Sequence, residues 1–130
     1  MDETIDVSNF GGREMTTLYI AGPMTGCEDM NWDMFAECEK AIKEKGYEAV
    51  NPHKINFKDK EDMANQHRFY TPEYYLRRDI RFLIDCDGLI LLPGWFESDG
   101  TSSELFIARR LKMPVYFYDH ETMTFYKEDK

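Results

Sequence analysis

Apolar positions along this chain fall into short runs whose spacing alternates between strand and helix. Thr17-Leu18-Tyr19-Ile20-Ala21 predicts a strand, closed by the turn-rich run Gly22-Pro23-Met24-Thr25-Gly26. Trp32, Phe35, Ala36 and Ile42 then recur at helical spacing. They predict a helix over 32–45 with Asn31 as N-cap and Gly46 as its stop. Tyr47–Val50 reads as a second strand ending at Asn51-Pro52. Residues 53–70 are polar and poorly periodic, which predicts a long loop, either functional or disordered. Thr71 and Pro72 mark the start of a helix that carries Tyr75, Leu76, Asp79, Ile80 and Leu83 toward Cys86. A buried strand over 88–93, a helix over about 101–112, a strand over Pro114–Tyr118 and an edge strand over 123–126 complete the pattern.

Strand and helix alternate throughout. The expected fold is therefore a single α/β domain: a flavodoxin-like (Rossmann-like) parallel sheet of four to five strands flanked by helices. It should span residues 15–130, after a flexible leader over 1–14. In such sheets ligands bind beyond the carboxyl ends of the strands, so the loops after the first three strands are the place to look for chemistry.

Composition narrows the classes. Apolar residues make up 42% of the 130 positions and aromatics 15%, as in a globular protein. No apolar run is long enough to span a bilayer, and no basic, apolar signal segment opens the chain. Cys27, Cys38 and Cys86 match neither metal-knuckle spacing nor a disulfide framework, which predicts a reducing cytoplasm. His53, His67 and His120 show no metal-ligand spacing. The net charge of −9 argues against nucleic-acid partners. Asp2, Glu3, Asp6 and Glu14 against Arg13 leave −3 at one end, and residues 119–130 hold −2, so the body carries −4. A small anionic ligand remains compatible with that body if arginines or backbone N–H groups meet it.

The richest stretch is Asp87–Glu104 (DGLILLPGWFESDGTSSE), a strand, a Gly/Ser/Asp loop and a helix start. Glu104 has two readings. In Thr101-Ser102-Ser103-Glu104 it completes a capping box. Alternatively it is a nucleophile or general base, held anionic near a helix N-terminus. Ser98 and Gly100 are either turn residues or contacts to a phosphate or sugar oxygen. Trp95 and Phe96 either stack on a base or close the core edge. Asp79, flanked by Arg77, Arg78 and Arg81, reads by itself as a solvated charge. The Gly22–Gly26 loop lacks the lysine and glycine spacing of a Walker loop.

Taken together, Tyr19–Gly26, Asn51-Pro52, Tyr75 with Asp79, Cys86-Asp87 and Ser98–Glu104 resemble the nucleoside 2-deoxyribosyltransferase superfamily over about residues 17–118. That resemblance implies cleavage of an N-glycosidic bond, with Glu104 as nucleophile and a covalent glycosyl-enzyme that water or a second base resolves. It implies that Asp79 contacts the sugar or base and aids proton delivery, and that Tyr19 lies near the site. Ser98 stands where base-exchanging relatives carry Asp and monophosphate hydrolases carry Ser. This favours hydrolysis of a nucleoside 5′-monophosphate, its phosphate held by Ser98 and the Gly22-Pro23-Met24-Thr25-Gly26 loop. Asn51, Trp95 and Gly100 are further expected substrate contacts. No metal or organic cofactor is expected. The resemblance also implies a homodimer or higher oligomer. The rival readings are a base-exchanging transferase and a non-catalytic nucleotide-binding protein.

Overall fold

The computed structural model describes residues 16–129; the leader expected over 1–14 lies outside the described residues. Five strands, β1 (Thr17–Ala21), β2 (Glu48–Val50), β3 (Gly88–Leu91), β4 (Val115–Asp119) and β5 (Thr124–Lys127), form one sheet in the order β2-β1-β3-β4-β5. The first four are mutually parallel, and β5 pairs antiparallel to β4 as the edge strand. Helices α1 (Trp32–Glu44), α2 (Pro52–Asn56), α3 (Lys60–Gln66), α4 (Pro72–Leu83) and α5 (Asp99–Arg110) supply the connections. The expected flavodoxin-like α/β class is the one observed.

Side-chain alternation along the strands divides the core into two layers. Leu18, Ile20, Ile90 and Leu92 pack against Phe35, Cys38, Ala41 and Ile42 of α1. Tyr19, Ala21, Leu89 and Leu91 face the other way, toward Leu83 at the end of α4 and Leu105 and Ala108 of α5. The chain leaves β1 toward one edge of the sheet and leaves β3 toward the other. Right-handed crossovers then place α1 on one face and α4 and α5 on the opposite face. The point where the winding reverses, between β1 and β3, is where such sheets open a crevice at their carboxyl ends.

Several local expectations are corrected. Residues 53–70 are not a loop: α2 and α3 occupy most of them, capped by the side chains of Asn51 and Asp59. Polar surface positions hide the helical period there, and only His53, Phe57 and Met63 are buried. Asn31 is the N-cap residue of α1 as expected, but its side chain makes no capping bond. It sits in the left-handed region (φ 63°), and its Nδ2 donates instead to the Pro23 carbonyl at 2.9 Å. The third strand stops at Leu91, although Leu92 N–H still donates to the Ala21 carbonyl. Thr71 caps α4 as expected, accepting from Tyr74 N–H. The Asp87 carboxylate accepts from Thr16 and Thr17 N–H, both at 3.0 Å, and so ties the start of β1 to the start of β3, at the end of the sheet away from the crevice.

Candidate active site

Tyr19, Asp79 and Glu104 meet at the switch point, on the face covered by α4 and α5. Their exposures are 0%, 6% and 6%. The Tyr19 hydroxyl donates to Glu104 Oε2 at 2.7 Å across 85 residues of sequence. Asp79 Oδ1 accepts from Asn56 Nδ2 at 3.1 Å. Each carboxyl thus has one oxygen anchored. Glu104 Oε1 and Asp79 Oδ2 make no hydrogen bond among the described residues, and neither is one of the sealed, unpaired atoms. Those two oxygens are the ones left for a ligand.

The capping-box reading of Glu104 is overturned. The helix begins at Asp99, two residues earlier than expected, because Ser98 Oγ accepts from Thr101 N–H at 3.1 Å and is itself the N-cap. Glu104 therefore lies in the second turn, pointing inward with Thr101, Leu105 and Ala108. The expectation that the helix terminus holds it anionic fails for the same reason. Burial pushes its pKa up to about 8, partly opposed by the Tyr19 hydrogen bond, and the Asp79 charge adds to the rise. Asp79 is no solvated charge either: burial raises its pKa to about 7 against the lowering effects of Asn56 and Arg78. Tyr19 is held well above the usual tyrosine range by burial and by the Glu104 and Asp79 charges, so it remains a donor.

The loops after β1 and β3 touch. A Cβ added at Gly22 would lie 2.7 Å from Leu92 Cβ, so only glycine lets β1 exit against the end of β3. Gly94 (φ 80°) turns the chain after Pro93, and a Cβ there would stand 3.5 Å from Pro23 Cγ. Thr25 and Gly26 are exposed, while Pro23 and Met24 are half-buried. Trp95 is half-buried, packed on the core beside Phe117, and Phe96 is exposed. Ser98 and Gly100 are half-buried at the mouth of α5.

Asn51 is not free to meet a substrate. Its Oδ1 caps α2 through His53 N–H at 3.0 Å and its Nδ2 donates to Glu39 Oε1 at 3.2 Å. Tyr75 donates its hydroxyl to the His67 carbonyl at 3.1 Å. His53 is buried between Trp32 and Phe35. Sequence reasoning missed Asn56, which lies in the stretch read as a loop and carries no motif. Two surface hollows of about 350 and 420 Å3 lie elsewhere, one beside Glu39, Lys43 and Lys54 and one beside Arg109, Lys112 and Lys127. The paired carboxyls, and not cavity size, single out the candidate site.

Residues 16–117 match a family described as Domain of unknown function (DUF4406). The chain belongs to that family. The match runs from the start of β1 into β4 and so takes in every residue of the DUF4406 site described above. No curated protein matches the chain. No helix of the described DUF4406 domain is long and apolar enough to cross a membrane.

Proposed function

We propose that the protein is an N-glycosidase hydrolysing a nucleoside or deoxynucleoside 5′-monophosphate. The observation that carries this reading is the pair of buried carboxyls, each anchored through one oxygen and open at the other. Glu104 Oε1 attacks the anomeric carbon as the bond to the base breaks. The electron pair of that bond leaves with the base, which takes its proton from Asp79. Water then attacks the glycosyl ester and gives a proton back to Asp79. Sugar phosphate departs and Glu104 is restored. The sum is nucleotide plus water to base plus sugar phosphate.

The productive form has Glu104 ionised and Asp79 protonated. With Glu104 at about 8 and Asp79 at about 7 this is the less populated arrangement of the single proton in the free protein, and positive charge developing on the sugar favours the ionised Glu104 it requires. Ser98 accepts from its own helix, which leaves its hydroxyl proton to donate to a phosphate at the N-terminus of the 12-residue α5. The Gly22–Gly26 loop lies nearby, with Pro23 Cγ 3.5 Å from where a Cβ on Gly94 would stand. The motif resemblance to nucleoside 2-deoxyribosyltransferases, which rests on these same residues, agrees with the reading.

A homo-oligomer belongs to this proposal. Phe82 and Phe106 project outward from α4 and α5 at 43% and 65% exposure, a surface suited to a subunit contact. So does a cytoplasmic location, with which the three free thiols agree. The test is to incubate the protein with ribo- and deoxyribonucleosides and their monophosphates, with and without a free acceptor base, and to follow products by mass spectrometry. Free base plus sugar phosphate is expected. A new nucleoside would assign the transferase, and binding without turnover the non-catalytic reading. Turnover that survives Glu104→Ala would refute the mechanism.

A further inference from the structure

Asn56 is the one polar side chain at the site that no motif announces, and its bonding is lopsided. Its Nδ2 donates twice, to the Pro52 carbonyl and to Asp79 Oδ1, both at 3.1 Å. Its Oδ1 is buried and makes no hydrogen bond among the described residues. The Pro52 carbonyl can only accept, so it fixes which end of the amide meets Asp79. A sealed carbonyl without a partner is costly in the free protein and calls for a reason.

We infer that Asn56 is the positioning residue for Asp79 and, through its unpaired carbonyl, a reader of the leaving base. The inference rests on the glycosidase reading above. By holding Oδ1, Asn56 turns Asp79 Oδ2 toward the ring nitrogen that must be protonated. The carbonyl of the same amide then stands beside that nitrogen as an acceptor. A base carrying an amino group next to a ring-nitrogen acceptor satisfies both groups at once, as adenine and cytosine do. On the edge that carries the purine C6 or pyrimidine C4 substituent, guanine and uracil place a carbonyl oxygen where an N–H is wanted, and two acceptors then face each other. A base seated there supplies the donor that Asn56 Oδ1 lacks.

Other groups act on Asp79, and each is constant across the comparison. Arg78 lies on its own helix, Glu104 faces it from α5, and its charge reaches Tyr19 of β1 and Tyr75 of α4. Only Asn56 donates a hydrogen bond to it among the described residues.

Two measurements decide the matter separately. The first needs no substrate: titrate the Asp79 side-chain carboxyl by carbon-13 NMR in the wild type and in Asn56→Ala. Loss of the donor destabilises the carboxylate, so the midpoint should rise by about one pH unit, tenfold in proton affinity. An unmoved midpoint overturns the clamp. Asn56→Ser, which keeps a hydroxyl at the site, serves if Asn56→Ala does not fold, with the same criterion.

The second uses Glu104→Gln, which cannot form the glycosyl ester, and compares binding of the monophosphates of adenosine, cytidine, guanosine and uridine by calorimetry. The adenosine and cytidine monophosphates should bind at least tenfold more tightly, and the ratio should fall toward one when Asn56→Ala is added. Equal binding of all four overturns the base-reading role and leaves the nucleotide reading standing. Binding of none overturns both, and the NMR titration alone then decides the clamp.

Discussion

Replacing Glu104 by Gln should make the protein harder to unfold, and only at neutral and alkaline pH. The folded chain holds the Glu104 proton with a pKa of about 8, whereas an unfolded glutamate titrates near ~4.3. A raised folded pKa means that the group's contribution is fully present below about pH 4 and is lost as pH climbs through about 8. At about 1.36 kcal/mol per unit, the offset sets a ceiling of roughly 5 kcal/mol. Asp79 titrates in the same range, and whichever of the two stays protonated relieves the other. The expected gain at pH 8 is therefore about 2–4 kcal/mol. Glutamine keeps the volume and the acceptor for the Tyr19 hydroxyl but carries no charge. For a domain of this size that gain raises Tm by roughly 8–15 °C. Circular-dichroism melts of the wild type and Glu104→Gln from about pH 4 to about pH 9 provide the assay. The gap should be near zero at the acid end, open steadily and level off above pH 8. A gap that does not change with pH, or that closes on the alkaline side, refutes the burial of an ionisable Glu104.

The other predictions concern turnover and packing. With Asp79 and Glu104 titrating at about 7 and about 8, kcat/KM should follow a bell that peaks between those values, and a monotonic profile would contradict the paired roles. Asp79→Asn should lower kcat by roughly 10²–10⁴ while nucleotide binding survives, as single-turnover kinetics and calorimetry would show. Ser98→Asp separates cap from ligand. Aspartate caps as well as serine, so Tm should stay within about 3 °C, but KM for a monophosphate should rise far more than KM for the free nucleoside. Gly22→Ala should cost about 1–3 kcal/mol by chemical denaturation, because its Cβ would press on Leu92 at 2.7 Å. A neutral result would mean that β1 and β3 are free to separate there.

The strands were the most legible part of the chain. β1 is found at Thr17–Ala21 as its apolar run predicts, and the edge strand β5 lies within a residue of expectation. Strands buried on both faces leave continuous apolar runs, and that signal survives any arrangement of neighbours. The segment over 53–70 was illegible for the opposite reason. Helices of 5 and 7 residues bury too little to imprint a period, and the cap at Asp59 was the signal that could have marked one of them. At α5 both Ser98 and Thr101 are acceptable caps by type. Ser98 is the one that caps, accepting from Thr101 N–H, and Thr101 joins Glu104, Leu105 and Ala108 among the buried residues of the helix.

By itself the sequence determined the α/β class, the loops at the crevice and the candidacy of Tyr19, Asp79 and Glu104. Local patterns record which side chains must leave water and where the backbone must turn. Only the tertiary structure decided what those residues are. It moved Glu104 from a cap to a buried acid held by Tyr19, and took Asp79 out of solvent. It committed Asn51 to Glu39 and brought in Asn56. Each of these depends on contacts between residues 23 or more positions apart, apart from the Asn51 pairing at 12. Desolvation and distant partners set the charge of a carboxyl, and no local stretch of sequence carries that information.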